Sequence, residues 1–520
     1  MIKRLLNTRL FLLALLSCTP VLVLTAGMPA SVAAFKAFVV FRGDLLTVSK
    51  SELFAANEDG TQRVILSGTM DENADVTEFA WSPNRKYVAF VADRDTDNKN
   101  ELYVVAAAGG EPLRVSGVVP DAQDVGAPLW SPDSKYIAYN VSGPGDDTLH
   151  IVEYDGAGDV VVGTTTGTIN PGKYVWSLKG SMLGFLGSFT TLGRTEVYTC
   201  RSDGSDIIRL TEGIGGAFEV LAFKWAPNGK RLALRADFET NGKDELFIVN
   251  PDGSDMLKVS APSIASGDLF EFEWAPNSSR ILYTADAETD SVDELFIAHT
   301  NGTPAQKISP PPFNQNSTVE SFVWSPNSQY AAYHYGQRDL AIPQPIFVTK
   351  FDGTGTVQLN VGSVGKELSD IAWTKDSKTV IYLNDFEVLF SEVLLSASRD
   401  GVNNNIISMP FVADGTAILS RLQSKKRRVG YIAEANARNL RELFAVGVDG
   451  SGHVMLSGAL VSGGEVVDFQ FSKTGTKIVY AADEVEDDII QLFVVKTDGT
   501  GHLLLSGTPV VGSVAEFQVK

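Results

Sequence analysis

From about residue 35 onward, short apolar stretches recur between polar breaks rich in Gly, Pro, Asn and Asp. The unit around Trp81 shows the pattern. Thr77-Glu78-Phe79-Ala80-Trp81 alternates apolar and polar positions, as a strand with one buried face does. Ser82-Pro83-Asn84 follows, and its proline presets φ while its asparagine can bond its own backbone, so it predicts a turn. KYVAFVA, from Lys86 to Ala92, predicts a second strand. An acidic loop leads to a third, ELYVVA, from Glu101 to Ala106. Gly109-Gly110 predicts a tight hairpin, and PLRVS, from Pro112 to Ser116, a fourth strand. Four short strands in a meander of about fifty residues predict one blade of a β-propeller.

The unit repeats. The seven tryptophans, Trp81, Trp130, Trp176, Trp225, Trp274, Trp324 and Trp373, are separated by 49, 46, 49, 49, 50 and 49 residues, and a fixed period of this size marks a repeat architecture. The hairpin turns extend the count. They run from Asp59-Gly60 and Gly109-Gly110 through Asp252-Gly253 to Asp449-Gly450 and Asp498-Gly499, ten in all, each suited to positive φ. Leu422 and Phe471 take the tryptophan position in the ninth and tenth units, so that position predicts core packing. The first unit starts with its second strand, Ala37 to Phe41. The chain closes on Ala515-Glu516-Phe517-Gln518-Val519, which matches Val467-Asp468-Phe469-Gln470-Phe471 of the tenth unit. Pairing of the N- and C-terminal strands would complete one blade and leave no exposed sheet edge. The expected fold is therefore all-β, a propeller of about ten four-stranded blades over residues 35–520. Two smaller propellers are the alternative.

Apolar residues make up 44% and charged residues 20% of the chain, an ordinary globular composition. The leader, residues 1–34, has Lys3, Arg4 and Arg9 ahead of a mostly apolar Leu10 to Leu24, then Val32-Ala33-Ala34 before Phe35. That order predicts an export signal. Leu15-Leu16-Ser17-Cys18 offers a second reading, a lipid anchor at Cys18, although the apolar run continues past it. No later stretch has the roughly 20 consecutive apolar residues of a membrane span. Removing the leader leaves 40 basic against 63 acidic residues, a net charge of −23. Such a surface repels phosphate backbones and argues against nucleic acid as partner. Cys200 would be the one remaining cysteine, which excludes an internal disulfide. Its strand-like setting predicts a buried, inert thiol.

Trp81-Ser82-Pro83-Asn84, Trp130-Ser131-Pro132-Asp133, Trp225-Ala226-Pro227-Asn228, Trp274-Ala275-Pro276-Asn277 and Trp324-Ser325-Pro326-Asn327, each followed by a strand and an Asp-Gly type of hairpin, resemble the TolB-type, PD40-like propeller repeats of bacterial exported proteins. The resemblance covers essentially the whole mature chain and implies a propeller. Such propellers serve as protein-interaction platforms and as gating domains of prolyl-oligopeptidase-like peptidases. TolB itself has six blades and an extra N-terminal domain, so its partners do not carry over to this chain.

Strand alternation places the loops after the second strands on one face, with the blade-to-blade connections. Three of these loops have a spacing that suits calcium. They are Asp93, Asp95 and Asp97 with Glu101; Asp237, Glu239 and Asn241 with Glu245; and Asp286, Glu288 and Asp290 with Glu294. Oxygen ligands at positions 1, 3, 5 and 9 can wrap one Ca²⁺, and the pattern resembles calcium loops in other exported propellers such as integrin α-subunit blades. Exposed hairpins draw on the same residue types without a metal. A glutamate also recurs where the acidic triad is missing, at Glu52 and Glu442, which points to a strand-edge role. No Gly-x-Ser-x-Gly elbow is present, and His150, His299, His334, His453 and His502 lack metal-site spacing. Lys425-Lys426-Arg427-Arg428, a basic run in the ninth Ser-Pro-Asn-like turn, suits a solvated turn.

These readings predict a periplasmic or secreted, non-enzymatic scaffold. It would bind an envelope component or another protein and would have no catalytic residues, with structural Ca²⁺ as the candidate cofactor. The alternative is a propeller enzyme acting on polysaccharide or peptide from a site assembled from loops.

Overall fold

The computed structural model describes residues 35–47, 49–165, 173–189, 194–311, 317–337, 344–360, 368–385, 392–411, 416–423, 425–437, 439–507 and 512–520. The expected export segment, with Cys18, lies outside them. The described chain forms ten antiparallel sheets. Blade two shows the unit, with strands Val76–Trp81, Tyr87–Ala92, Glu101–Ala106 and Leu113–Arg114 paired in sequence order. The predicted strands stand, except that the fourth shrinks to two residues. In blade three the first strand is split into Asp124–Val125 and Leu129–Trp130.

Blade one is completed by both ends of the chain. Val514–Val519 pairs with Val39–Gly43 in the register Val39 to Val519, Val40 to Gln518 and Phe41 to Phe517. The tryptophans show how the blades form a single ring. Each indole N–H donates to a first-strand carbonyl of the preceding blade. Trp225 reaches Val175 O at 3.0 Å, Trp274 reaches Lys224 O at 3.0 Å and Trp324 reaches Glu273 O at 3.1 Å. These bonds run unbroken through the middle of the chain, where two five-bladed rings would part. Trp81 Nε1 donates to Gln518 O at 3.3 Å and joins blade two to the closing strand. The tryptophan position is therefore more than packing, because its polar edge links neighbouring blades. The reading from Leu422 and Phe471 missed this. At the seam between blades ten and one, which has no indole, Gln470 bridges instead, donating to Phe517 O at 2.9 Å and accepting from Val519 N at 3.2 Å.

Neighbouring first strands meet through these bonds, so they surround the axis and the fourth strands lie at the rim. Strands two and three are covered on both faces by adjacent blades. They are therefore buried almost throughout, as in Tyr87–Ala92 and Glu101–Ala106, where a half-buried strand would alternate. The cores lie between blades. One joins Leu246 and Ile248 of blade five to Phe272, Trp274, Ile281 and Tyr283 of blade six. Within blades, aromatic rings stack across strands two and three, as Phe90 on Tyr103 (5.4 Å) and Tyr283 on Phe296 (5.3 Å). The first strands carry a recurring β-bulge, between Val76 and Glu78 in blade two and between Val466 and Asp468 in blade ten. It shifts the alternation by one residue, so Val76, Phe79 and Trp81 are all buried.

Candidate functional site

The loops after the second strands carry the candidate ligands, and their first aspartates are occupied by backbone. Asp237 Oδ1 accepts from Glu219 N at 2.5 Å, at the entry to its own first strand, and Oδ2 accepts from Gly242 N at 2.7 Å. Asp286 accepts from Asp268 N at 2.5 Å and Ser291 N at 3.1 Å. Asp93 accepts from Asp75 N at 2.6 Å and Asn98 N at 3.2 Å. Each carboxylate thus closes its loop and ties it to the strand that enters the blade. The entry residues continue the chain of bonds to the blade before: Ser51 N donates to Asp75 Oδ1 at 2.6 Å and Asp244 N to Asp268 Oδ1 at 3.0 Å. Asp75 and Asp268, with Asp124, which accepts from Asn100 N at 2.8 Å, are functional in this structural sense, and sequence reasoning passed over them.

The glutamates at the ninth position are buried at the start of the third strands, as the strand-edge reading anticipated; Glu101 is 3% exposed and Glu294 1%. Their partners lie thirteen residues on, in the fourth strand. Glu101 pairs with Arg114 at 2.9 Å. Lys258 bonds both Glu245 and Glu239, the latter at 2.7 Å. Lys307 bonds both Glu294, at 3.0 Å, and Glu288. Burial pulls the Lys258 and Lys307 pKa values down, but the hydrogen bonds from the glutamates outweigh it and both are raised. In two of the three loops an ammonium group therefore sits between positions 3 and 9. In blade one, Ile65 replaces the basic residue, and Glu52 Oε2 has no hydrogen-bond partner among the described residues. Asp95, Asp97, Asn241 and Asp290 are exposed at the loop tips. Among the described residues no three or more His, Cys, Asp or Glu side chains are placed to hold a metal. In the second and third loops, as placed, the ammonium group takes the space a calcium ion would occupy between positions 3 and 9. The signal that would have revealed the ammonium groups is a lysine or arginine thirteen residues after each glutamate.

Four of the five histidines are engaged within or between blades. His150 bonds Thr148 at 2.9 Å and Asp159 at 3.3 Å and stacks on Tyr139. His453 Nε2 lies 2.7 Å from Ile407 O in the preceding blade. His334 bonds Gln344 at 2.7 Å, and burial pushes its pKa down to about 4. His502, Tyr480 and Glu484 form a close titratable group, with His502 at 2.6 Å from the Tyr480 hydroxyl. That hydroxyl is fully buried, and burial and the adjacent carboxylate raise its pKa. It also accepts from Gly458 N at 3.2 Å, which fixes the connection from blade nine to blade ten. Cys200 is buried and free, and burial pushes its thiol up to about 12.

A ring of four-stranded antiparallel sheets closed by its two ends defines a β-propeller. The chain belongs to the TolB β-propeller family, PD40, whose model matches residues 30–328. No curated protein matches its sequence. Among solved structures, one described as the eukaryotic initiation factor is similar over 93% of this chain and 98% of that one, at 10% identity and a TM-score of 0.52. Dipeptidyl peptidase 4 from Porphyromonas gingivalis is similar over 75% of this chain at 12% identity and a TM-score of 0.48; the match spans 59% of the peptidase. TolB from Acinetobacter baumannii is similar over 59% of this chain and 76% of its own, at 15% identity and a TM-score of 0.29. At these identities the likeness is one of fold.

Proposed function

We infer that this chain is an exported, non-enzymatic propeller that works as a binding scaffold in a periplasm or outside the cell. The observation that carries the reading is the use made of its reactive side chains. The loop carboxylates bond backbone amides and lysines, and four of the five histidines bond groups inside or between blades. Groups so engaged hold the ring together. The leader's basic start and apolar run support export. The test is incubation of the purified chain with panels of peptides and polysaccharides, together with the intact mass of the protein recovered from its host. Turnover of any substrate that a point substitution abolishes would overturn the scaffold reading, and recovery of the full-length mass would overturn export with cleavage.

The loops, on this reading, are held by lysine and arginine. Calcium bound there would require Lys258 and Lys307 to leave their glutamates. A melting midpoint that rises with added Ca²⁺ and falls with EDTA is the result that would establish it, because a ligand that binds only the native state must raise the midpoint.

A further inference from the structure

The turns between first and second strands stand around one mouth of the central channel, and each touches the next. Asn84 N donates to Ser134 Oγ at 2.9 Å, linking blade two to blade three. Gly180 lies against Pro132, and Gly229 against Ser177. Asn228, Asn277 and Asn327 donate in turn to Ser278, Ser328 and Ser377 at 3.0 to 3.1 Å. Arg427 pairs with Asp376 at 2.7 Å, Lys425 Nζ donates to Lys473 O at 3.4 Å, and Lys473 N donates to Lys520 O at 3.3 Å. The turns form a collar from blade two round to blade one, whose closing strand is joined to blade two through Trp81 and Gln518.

This collar is basic, although the chain as a whole is strongly acidic. Blades eight, nine and ten contribute Lys375, Lys378, Lys425, Lys426, Arg427 and Lys473. Lys520, Lys36, Arg85 and Lys86 carry the charge across the closing blade into blade two. Lys135, Lys179 and Lys230 continue it through blades three, four and five. The acidic residues in these turns are Asp133 and Asp376. The first is bonded by Ser131 Oγ and Lys135 N, and the second by Arg427. Lys86, Lys179, Lys230, Lys375, Lys378 and Lys426 are exposed, with no carboxylate partner among the described residues. Burial lowers the Lys520 pKa, and Lys36 and Arg85 lower it further by repulsion. Like charges therefore crowd at the closing blade, while among the described residues Arg427 and Lys135 are the collar cations with carboxylate partners, Asp376 and Glu153.

The rim of the same face has the opposite sign. Its hairpins expose Asp59, Asp252, Asp352, Asp400 and Asp498. A broad anionic sheet laid over the face would meet both rings, whereas a narrow anionic segment over the axis meets the collar alone. The turn residues include no aromatic side chain; Trp81 and Tyr136, which flank them, are already capped by Arg85 (5.4 Å) and Lys135 (4.6 Å), whereas stacking on sugars or bases would use a free ring. Lysine outnumbers arginine there, and an ammonium is a point charge that pairs with carboxylate and phosphate alike; the acidic remainder of the chain weighs against the denser charge of a nucleic-acid backbone. We propose that the collar docks an acidic, carboxylate-rich segment of a partner protein. The proposal rests on the scaffold reading and names the surface and partner chemistry for it.

The test uses fluorescent poly-L-glutamate as probe with the mature chain. Binding is expected at low salt and should weaken about tenfold as ionic strength is raised several-fold, because exposed charges are screened over about 10 Å. The K375Q/K378Q/K426Q/K473Q variant should bind about tenfold more weakly, since each exposed pair contributes little and four act together. The rim variant K350Q/K496Q should bind as wild type does. Carbodiimide coupling of poly-L-glutamate to the unaltered chain, mapped by mass spectrometry, should fall on collar lysines, a readout independent of how the variants fold. No binding at low salt, or coupling outside the collar, overturns the proposal. Polyphosphate or anionic vesicles binding more tightly than poly-L-glutamate, with the same dependence on the collar, overturns the carboxylate assignment. None of these outcomes depends on turnover in the substrate panels, so the scaffold reading and the collar fail separately.

Discussion

Replacing Trp225 with phenylalanine separates the two roles of the tryptophan position. The ring would still fill most of the site, where Trp225 is 8% exposed, but the donor to Val175 O at 3.0 Å is lost. A hydrogen bond of this kind contributes a net ~1 kcal/mol. The smaller ring gives up a further ~1 kcal/mol of apolar burial. W225F should therefore cost about 2 kcal/mol, and W225A about 3–5 kcal/mol because a cavity is added. Phe471 fills the same position without an indole, so F471L loses packing alone and should cost less than about 1.5 kcal/mol. Urea unfolding followed by far-UV and near-UV circular dichroism measures each variant, provided that the two probes coincide. Hydrogen exchange at the strands either side of the seam should show faster opening in W225F. If W225F is within about 0.5 kcal/mol of wild type, the indole bonds contribute nothing and the ring is held by packing alone.

Asp237→Ala removes acceptors from both Glu219 N and Gly242 N and should cost about 3 kcal/mol in the same assay, with Asp237→Asn losing roughly half as much. His334 has a folded pKa near 4 against an ordinary 6.5, so its neutral form is favoured in the folded state. Its contribution is fully present above pH 6.5 and is lost as pH falls from there towards 4, by about 3 kcal/mol. Urea titrations across that window should show the slope in wild type and a flatter one in H334N. Cys200, buried with its thiol pushed up to about 12, should resist iodoacetamide in the native protein and react once it is unfolded; native labelling at neutral pH would contradict that placement.

Much of the fold was legible because its signals are local. Alternation, the Ser-Pro-Asn turns and the Asp-Gly hairpins each span a few residues, and repetition multiplied them until the count and the closing pair of strands could be read. The candidate loops were legible as loops. What their carboxylates face was not. Asp237 reaches a backbone amide eighteen residues earlier, and Glu245 reaches a lysine thirteen residues later; a ligand-like spacing within one loop carries no trace of either. The indole bonds were also hidden, because Leu422 and Phe471 made the position read as purely apolar.

The sequence by itself determined a ring of repeated four-stranded units, their number and the strand that closes them, since hydrophobic period and turn chemistry act between near neighbours along the chain. Only the tertiary structure decided where charge gathers. The collar is assembled from turns about fifty residues apart, and outside blades six and seven each segment holds one to three basic side chains that look ordinary alone in an acidic chain. Coulomb interactions depend on distance in space, and it is the closure of the ring that brings Lys36 and Lys520 together beside Arg85.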